Sequence, residues 1–397
     1  MKVLVINAGS SSLKYQLIET DTELLISKGV CERIGQEGAR LVHKVEVEPT
    51  KKVEINAPMP THKEAIKLVL DALVSKEHGV IESMDEIVAV GHRVLHSGED
   101  FNDSVKVTPE VLEKIEGNID LGPLHMPANI MGIKACMEVM PSAPQVAVFD
   151  TTFHSTMPDY AYMYAIPYDD YKQYKVRKYG FHGTSHLFIG GETAKLMGKK
   201  DFKMVSCHLG NGASLCAIVN GKCVDTTMGF TPLEGLLMGT RSGDIDPAVL
   251  EYLMGKKNMD IHQMLNYLNK SCGVAGVGGV GSDFRDLEAG VRAGNERAIL
   301  AMDMFCYRVK KYIGAYAAAM GGLDAIVFTG GIGEHEAIVR RKVVEGLEFL
   351  GVDVDMEYNE DPDDGITELS TDKSKVKVFI LPTNEELVIA RETVRLK

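Results

Sequence analysis

Lys2-Val3-Leu4-Val5-Ile6-Asn7-Ala8-Gly9-Ser10-Ser11-Ser12 runs from a short apolar stretch straight into a tight glycine and serine loop. A continuous apolar run closed by turn residues reads as a buried strand. Further strands are expected over 13–19 and 24–30, so the segment is a meander. The arrangement returns from residue 203. Met204-Val205-Ser206-Cys207 is a strand, His208-Leu209-Gly210-Asn211-Gly212-Ala213-Ser214 a loop, and Leu215–Val219 and Lys222–Thr226 are strands joined by Asn220-Gly221. Gly9 and Gly210 lie 201 residues apart, about half of the 397-residue chain.

Outward from these loops the correspondence continues in order. Ile87–His92 resembles Ile326–Gly331, and Val146–Asp150 resembles Val378–Pro382. Three matching pairs in one order indicate a duplicated α/β domain. Helix-like segments at 61–78, 109–117, 126–140, 185–197, 246–255, 259–269, 295–320, 335–350 and 385–395 separate the strands, as in sheets covered on both faces. We expect an N-terminal domain of 1–150 with 385–397 and a C-terminal domain of 151–384, meeting across a cleft and connected near 150–155 and 382–385. The stretch Asn359–Gly365 reads as a surface loop.

Composition removes several function classes. With 45% hydrophobic and 25% charged residues the chain is an ordinary globular protein, long enough for more than one core. Its formal charge of −13 repels polyanions, and no basic run suits nucleic acid or lipid, so neither partner is expected. No 18-residue apolar segment or secretory leader is seen, which suggests a cytoplasmic protein. The seven cysteines contain no C-x-x-C pair and read as reduced thiols in the core.

Chemistry concentrates in the glycine loops. Ser10, Ser12 and Lys14 offer hydroxyls and an ammonium to phosphate oxygens, and the loop His208–Gly212 stands at the equivalent place in the second half. Two such loops suit a nucleotide clamp. Neither a P-loop nor a dinucleotide fingerprint is present. Thr329-Gly330-Gly331-Ile332-Gly333-Glu334 is a third candidate, leading from a strand into a helix. Arg93 and Arg241 sit in non-periodic segments suited to hold a planar guanidinium against carboxylate or phosphoryl oxygens, whereas Arg297 and Arg308 read as solvated helix faces.

His125, His154 and His182 are read as donors to an anion. His182 and His186 have a metal-ligand spacing, but Gly183 interrupts and no third ligand accompanies them, which argues against zinc. Asp150 and Glu385 stand at or just past strand ends and, with Asn7, could hold Mg²⁺ through water, or either carboxylate could cap a helix.

Asn7-x-Gly9-Ser10-Ser11-Ser12-x-Lys14, Arg177-Lys178-Tyr179-Gly180-Phe181-His182-Gly183-Thr184-Ser185-His186 and His208-Leu209-Gly210-Asn211-Gly212 resemble the acetate kinase family, within the superfamily of acetate and sugar kinases, heat-shock chaperones and actin. The resemblance spans essentially the whole chain. It implies a duplicated ribonuclease-H-like βββαβαβα core, two domains flanking a nucleotide cleft, and reversible Mg²⁺-dependent transfer from ATP to acetate, with Mn²⁺ as a substitute metal and a homodimer formed through the second half. Carried over by motif, Arg93 binds the carboxylate, Arg241 and His182 the transferring phosphoryl group, and His125 lies near it. Asp150 would orient Arg93 or metal-bound water. Asn7 and Glu385 match metal positions, and Ser10, Ser12 and Lys14 face the phosphates. Nucleotide contacts map to His208, Leu209, Gly210, Asn211 and Gly212, to Asp283, Phe284 and Arg285, and to Gly331, Ile332, Gly333, Glu334 and His335. The acyl wall maps to Leu95, Leu124, Phe181 and Pro232. His335 departs from the asparagine frequent in the family. The rival readings are a propionate or butyrate kinase and an actin-like or chaperone-like ATPase.

Overall fold

The computed structural model describes residues 1–397. Two compact units are present, Met1–Phe153 with Asn384–Lys397, and His154–Thr383. The chain therefore passes from one unit to the other at 153/154 and returns at 383/384.

In the first unit, β1 (Lys2–Ala8), β2 (Ser12–Glu19) and β3 (Leu24–Glu32) form the antiparallel meander, and β4 (Arg40–Val45) and β5 (Lys51–Asn56) extend it. On the other side of β1 lie β6 (Ile87–Val94) and β8 (Gln145–Phe149), both parallel to it, with β7 (Val105–Lys106) at the edge. Alternation sets the core: Leu4, Ile6, Leu13, Leu17 and Leu41 share one face with Ile66, Val69 and Leu73 of the helix His62–Leu73. Thr61 and Glu64 start that helix with a reciprocal capping box. It stops at Leu73 and not at 78, because the chain turns back and Val80 N–H bonds to the Leu73 carbonyl at 2.8 Å. The opposite face of β1, β6 and β8 is covered by the helix Glu385–Leu396. Gly91 permits that contact, since a Cβ there would stand 2.7 Å from Ile389 Cγ2.

The second unit repeats the plan. β9 (Lys203–Leu209), β10 (Ala213–Val219) and β11 (Lys222–Thr226) are antiparallel, β12 (Ala325–Thr329) and β14 (Lys377–Ile380) continue in parallel, and β13 (Thr367–Glu368) is the edge. The order β11-β10-β9-β12-β14 matches β3-β2-β1-β6-β8, so the duplication read from the loops is present as topology. The helix Glu296–Met320 buries Phe305, Val309 and Ile313 and ends at Gly321 in the left-handed region. The expected helix 335–350 is instead two pieces, Gly330–His335 and Ala337–Val344, broken at Glu336. The loop after Asn359 is exposed, but Asn359 itself is buried, accepting from Arg340 Nε at 2.8 Å. No helix is long and apolar enough to cross a membrane, and all seven cysteines are free thiols.

Candidate active site

In the first unit Arg93 on β6 meets Asp150, one residue past β8. Parallel pairing sets Arg93 opposite Val148, and the next side chain on the same face is Asp150. The guanidinium donates Nε–H to Oδ1 at 3.0 Å and Nη2–H to Oδ2 at 2.6 Å, a bidentate pair with Asp150 wholly buried. Attraction by Asp150 raises the Arg93 pKa against the cost of burial, and Glu385 and Glu386 add to it. Arg93 is thus permanently charged and aimed by one face of its fork, with Nη1 still able to donate. Leu95 is half-buried beside Gly122, whose Cβ would meet Leu95 Cδ2 at 2.8 Å. Leu124, by contrast, is 81% exposed, and His125 is exposed at the start of the helix Met126–Val139, so neither is packed into this unit.

The Asn7–Lys14 turn is tight. Gly9 N–H bonds to the Ser12 carbonyl at 2.7 Å, and His62 Nε2 donates to the Gly9 carbonyl at 2.7 Å, a support that the sequence pattern did not signal. Asn7 and Lys14 are register partners and line one cavity of about 360 Å³ with Lys28, Lys44 and Glu386. Ser10 is exposed at the tip and Ser12 half-buried. Asn384 caps the last helix, accepting from Leu387 N–H at 3.0 Å, which puts Glu385 in its first turn.

In the second unit His182 holds φ +58°, an unusual conformation for a residue with a Cβ, at the entry to the helix Gly183–Met197. Its Nδ1 is 2.9 Å from Ser214 Oγ, which is 2.9 Å from His186 Nε2, and His186 Nδ1 is 2.9 Å from Ser206 Oγ. Burial holds His186 well below the usual imidazole pKa, so it is neutral. One assignment satisfies every group: Ser206 donates to His186, His186 to Ser214, and Ser214 to His182 Nδ1, leaving His182 Nε2–H to donate outward. His208 stacks on His182 with centroids 4.2 Å apart, and its Nδ1 contacts Ser185 Oγ at 2.8 Å.

Gly212 lies between His182 and Arg241; a Cβ on it would stand 3.6 Å from His182 Nε2 and 3.4 Å from Arg241 Nη1. Desolvation lowers the Arg241 pKa, and its Nη1 reaches the Pro232 carbonyl at 3.3 Å. Asp244 steadies the loop carrying Arg241: it accepts from Gly235 N–H at 2.8 Å, Arg308 Nη1 at 3.1 Å and Tyr312 Oη at 2.5 Å. Arg308 is therefore a brace and not merely a solvated face. Arg297 likewise donates to the carbonyls of Val277 and Gly276 at 2.8 and 3.1 Å. His154 also departs from expectation. It is fully buried, with Nε2 on the Phe181 carbonyl at 2.9 Å and Nδ1 against Cys223, so it serves no exposed anion.

A cavity of about 570 Å³ brings together Gly210, Asn211, Asp283, Phe284, Arg285, Gly331, Ile332 and His335 from three sequence regions. Ser282 and Glu336 line it as well. Phe284 packs edge-on against Phe305 at 4.8 Å and forms an apolar floor. Asp283 caps the helix Phe284–Arg292 and pairs with Arg285, which holds its carboxyl down at about 2. Burial raises the Glu336 carboxyl, with Glu288 acting in the same direction. Leu209 and Gly333 are buried beneath, and Glu334 turns back to accept from Gly330 N–H at 2.8 Å; none of the three lines the cavity.

With this geometry in view, comparison with known proteins is direct. The model of the Acetokinase family matches residues 2–391. An acetate kinase of Agathobacter rectalis is 58% identical over all of both chains, and one of Caldicellulosiruptor bescii is 59% identical over 100% of this chain and 99% of the relative. Among solved structures, the Porphyromonas gingivalis acetate kinase superposes with TM-score 0.96 at 46% identity, covering 100% of this chain and 99% of that one. A propionate kinase from Francisella tularensis gives TM-score 0.91 at 40% identity, with both chains covered in full. The chain belongs to the acetokinase family.

Proposed function

We propose that this chain transfers the γ-phosphoryl group of ATP to acetate, reversibly, forming acetyl phosphate and ADP by direct in-line attack. Acetate, with a pKa near the ~4.3 of a glutamate side chain, is ionised at neutral pH and needs no general base. The barrier is electrostatic: an anion must approach a polyanion, and charge spreads over the equatorial oxygens of the moving group. The observation carrying this reading is the Arg93–Asp150 pair, in which the carboxylate is fully engaged in orienting a guanidinium and is no candidate base. Arg93 binds the acetate carboxylate. Arg241 and the Nε2–H of His182 neutralise the phosphoryl oxygens, and Lys14 with Ser10 and Ser12 holds the phosphate chain. The 570 Å³ cavity takes the nucleoside, a size suited to such a ligand.

Asn7 and Glu385 offer the hard oxygen donors that suit Mg²⁺, and Glu386 opens on the same cavity as Asn7. When bound, the ion neutralises phosphate charge.

An acyl-hydroxamate assay with ATP, Mg²⁺ and acetate, propionate or butyrate tests the substrate. Acetate should give the highest kcat/KM. The machinery also suits propionate, as the Francisella relative illustrates, because one methylene in an apolar pocket is worth only about 1–3 kcal/mol. The family match along the chain weighs against the actin-like and chaperone-like alternative. Arg241→Ala should lower kcat roughly 10²–10³-fold with little change in acetate KM, whereas Arg93→Ala should mainly raise acetate KM. Near-normal turnover in both variants would reject the site.

We infer a homodimer formed through the second unit. The helix Pro247–Lys257 buries none of its residues although it carries Val249, Leu250, Tyr252 and Leu253, and Ile261 and Leu265 on the next helix are exposed beside it. A second copy covers this apolar face.

A further inference from the structure

His154, Cys216 and Cys223 form a buried cluster that phosphoryl transfer leaves unused. Cys223 pairs with Ile218 across β10 and β11, so its side chain shares a face with Cys216, two residues from Ile218. His154 Nδ1 is 3.2 Å from Cys223 Sγ and 3.9 Å from Cys216 Sγ, and the three atoms all lie within 4.8 Å of one another. A tetrahedral zinc ion with ordinary Zn–S and Zn–N lengths sets N and S roughly 3.6 Å apart, between the two separations found here.

The imidazole is already in the tautomer that a metal needs. Its Nε2 faces the Phe181 carbonyl at 2.9 Å and must carry the proton there, which turns the Nδ1 lone pair toward both sulfurs. A ligating histidine commonly has this second partner, a backbone carbonyl on its other nitrogen. A separate observation comes from Tyr316, whose buried hydroxyl has no hydrogen-bond partner. The helix Glu296–Met320 that carries it packs against β10, the strand of Cys216. An unsatisfied buried hydroxyl is costly, and an ion-bound water is the kind of polar group this part of the interior lacks. Charge selects the ion. Two thiolates and a neutral imidazole make a neutral complex with a divalent cation, whereas a monovalent one leaves net charge in an apolar interior.

We propose that His154, Cys216 and Cys223 form a structural site for a thiophilic divalent cation of the Zn²⁺ class, separate from the oxygen donors of the phosphotransfer centre. Both sulfurs bind as thiolates, any thiol proton passing to solvent, and His154 keeps its Nε2 proton; no oxidant is involved. The ion anchors the backbone at Phe181, one residue before His182.

The test is titration of the full chain, freed of metal with a chelator, by Co²⁺. A thiolate-to-cobalt charge-transfer band should saturate at one equivalent. Cys216→Ser and Cys223→Ser should abolish the band, and Cys272→Ser, at a partly exposed thiol outside the cluster, should keep it. X-ray absorption of the zinc-loaded wild type should show two sulfurs at about 2.3 Å, a result independent of whether the variants fold. Absence of the band, its survival in Cys223→Ser, or a shell of oxygen and nitrogen alone would overturn the proposal. Acyl-hydroxamate activity does not enter either readout, so failure here leaves the phosphotransfer reading standing.

Discussion

Arg93 owes both its charge and its direction to one buried carboxylate. Asp150→Asn keeps the volume but loses the ion pair, so Arg93 should swing among rotamers. We expect a fall of roughly 10–100-fold in kcat/KM for acetate, of the order seen when a supporting residue behind a ligand-binding group is lost. Steady-state kinetics with varied acetate checks this, and an unchanged KM and kcat would show that Asp150 positions nothing. Ser214→Ala tests the relay behind His182: kcat should drop about tenfold or more, with acetate KM nearly constant, as Nδ1 loses its donor. Arg93, Asp150, His182 and Arg241 were legible because charged or imidazole side chains stand there beside glycine loops or strand ends. Ser214 and Asp244 were not, and His186 stood out only by its spacing to His182. A serine in a strand and an aspartate 64 residues from its arginine carry no local signature, and their partners emerge only when β9, β10 and the long helix pack together.

At the scale of elements, β6 carries a pH liability next to its arginine. Burial pushes His92 down to about 4, with only the Gln145 hydrogen bond opposing. In the unfolded chain this imidazole titrates near ~6.5, so between pH 6.5 and 4 the unfolded state binds more protons and folding stability falls as pH falls. The loss for this one residue approaches roughly 3 kcal/mol at the acid end. Urea midpoints at pH 7.5 and 5 should therefore differ, and His92→Gln should flatten the difference; an equal slope in the variant would remove His92 as the cause. The Gly235–Asp244 loop offers a second test. Asp244→Ala frees Arg308 and Tyr312 and unpins Arg241, so kcat should fall along with thermal stability, the latter by only about 0.5–1.5 kcal/mol because these hydrogen bonds lie at the surface. Strands such as β1 and β9 were plain from their apolar runs. β5 was masked because Lys51, Lys52 and Glu54 leave little apolar alternation at the solvent edge of the sheet, and β4 because Arg40, His43 and Lys44 break its short apolar run.

For the whole molecule, two matching strand orders confirm what three pairs of sequence segments implied, because each strand and its following loop had kept their order even where side chains diverged. Sedimentation should report a dimer, and Tyr252→Glu combined with Leu265→Glu should yield a monomer that keeps its fold; a monomeric wild type would refute the interface. The first unit is assembled from both ends of the sequence, with 230 residues of the second unit, His154–Thr383, intervening. A ribosome making this chain delivers β1, β6 and β8 long before the helix Glu385–Leu396 that shields them. Order of synthesis and order of completion therefore differ. The nascent sheet must wait with one greasy side uncovered, a window in which chaperones would engage it, and a severed Met1–Phe153 fragment should stay sticky until a peptide of the last fourteen residues, Asn384–Lys397, is returned.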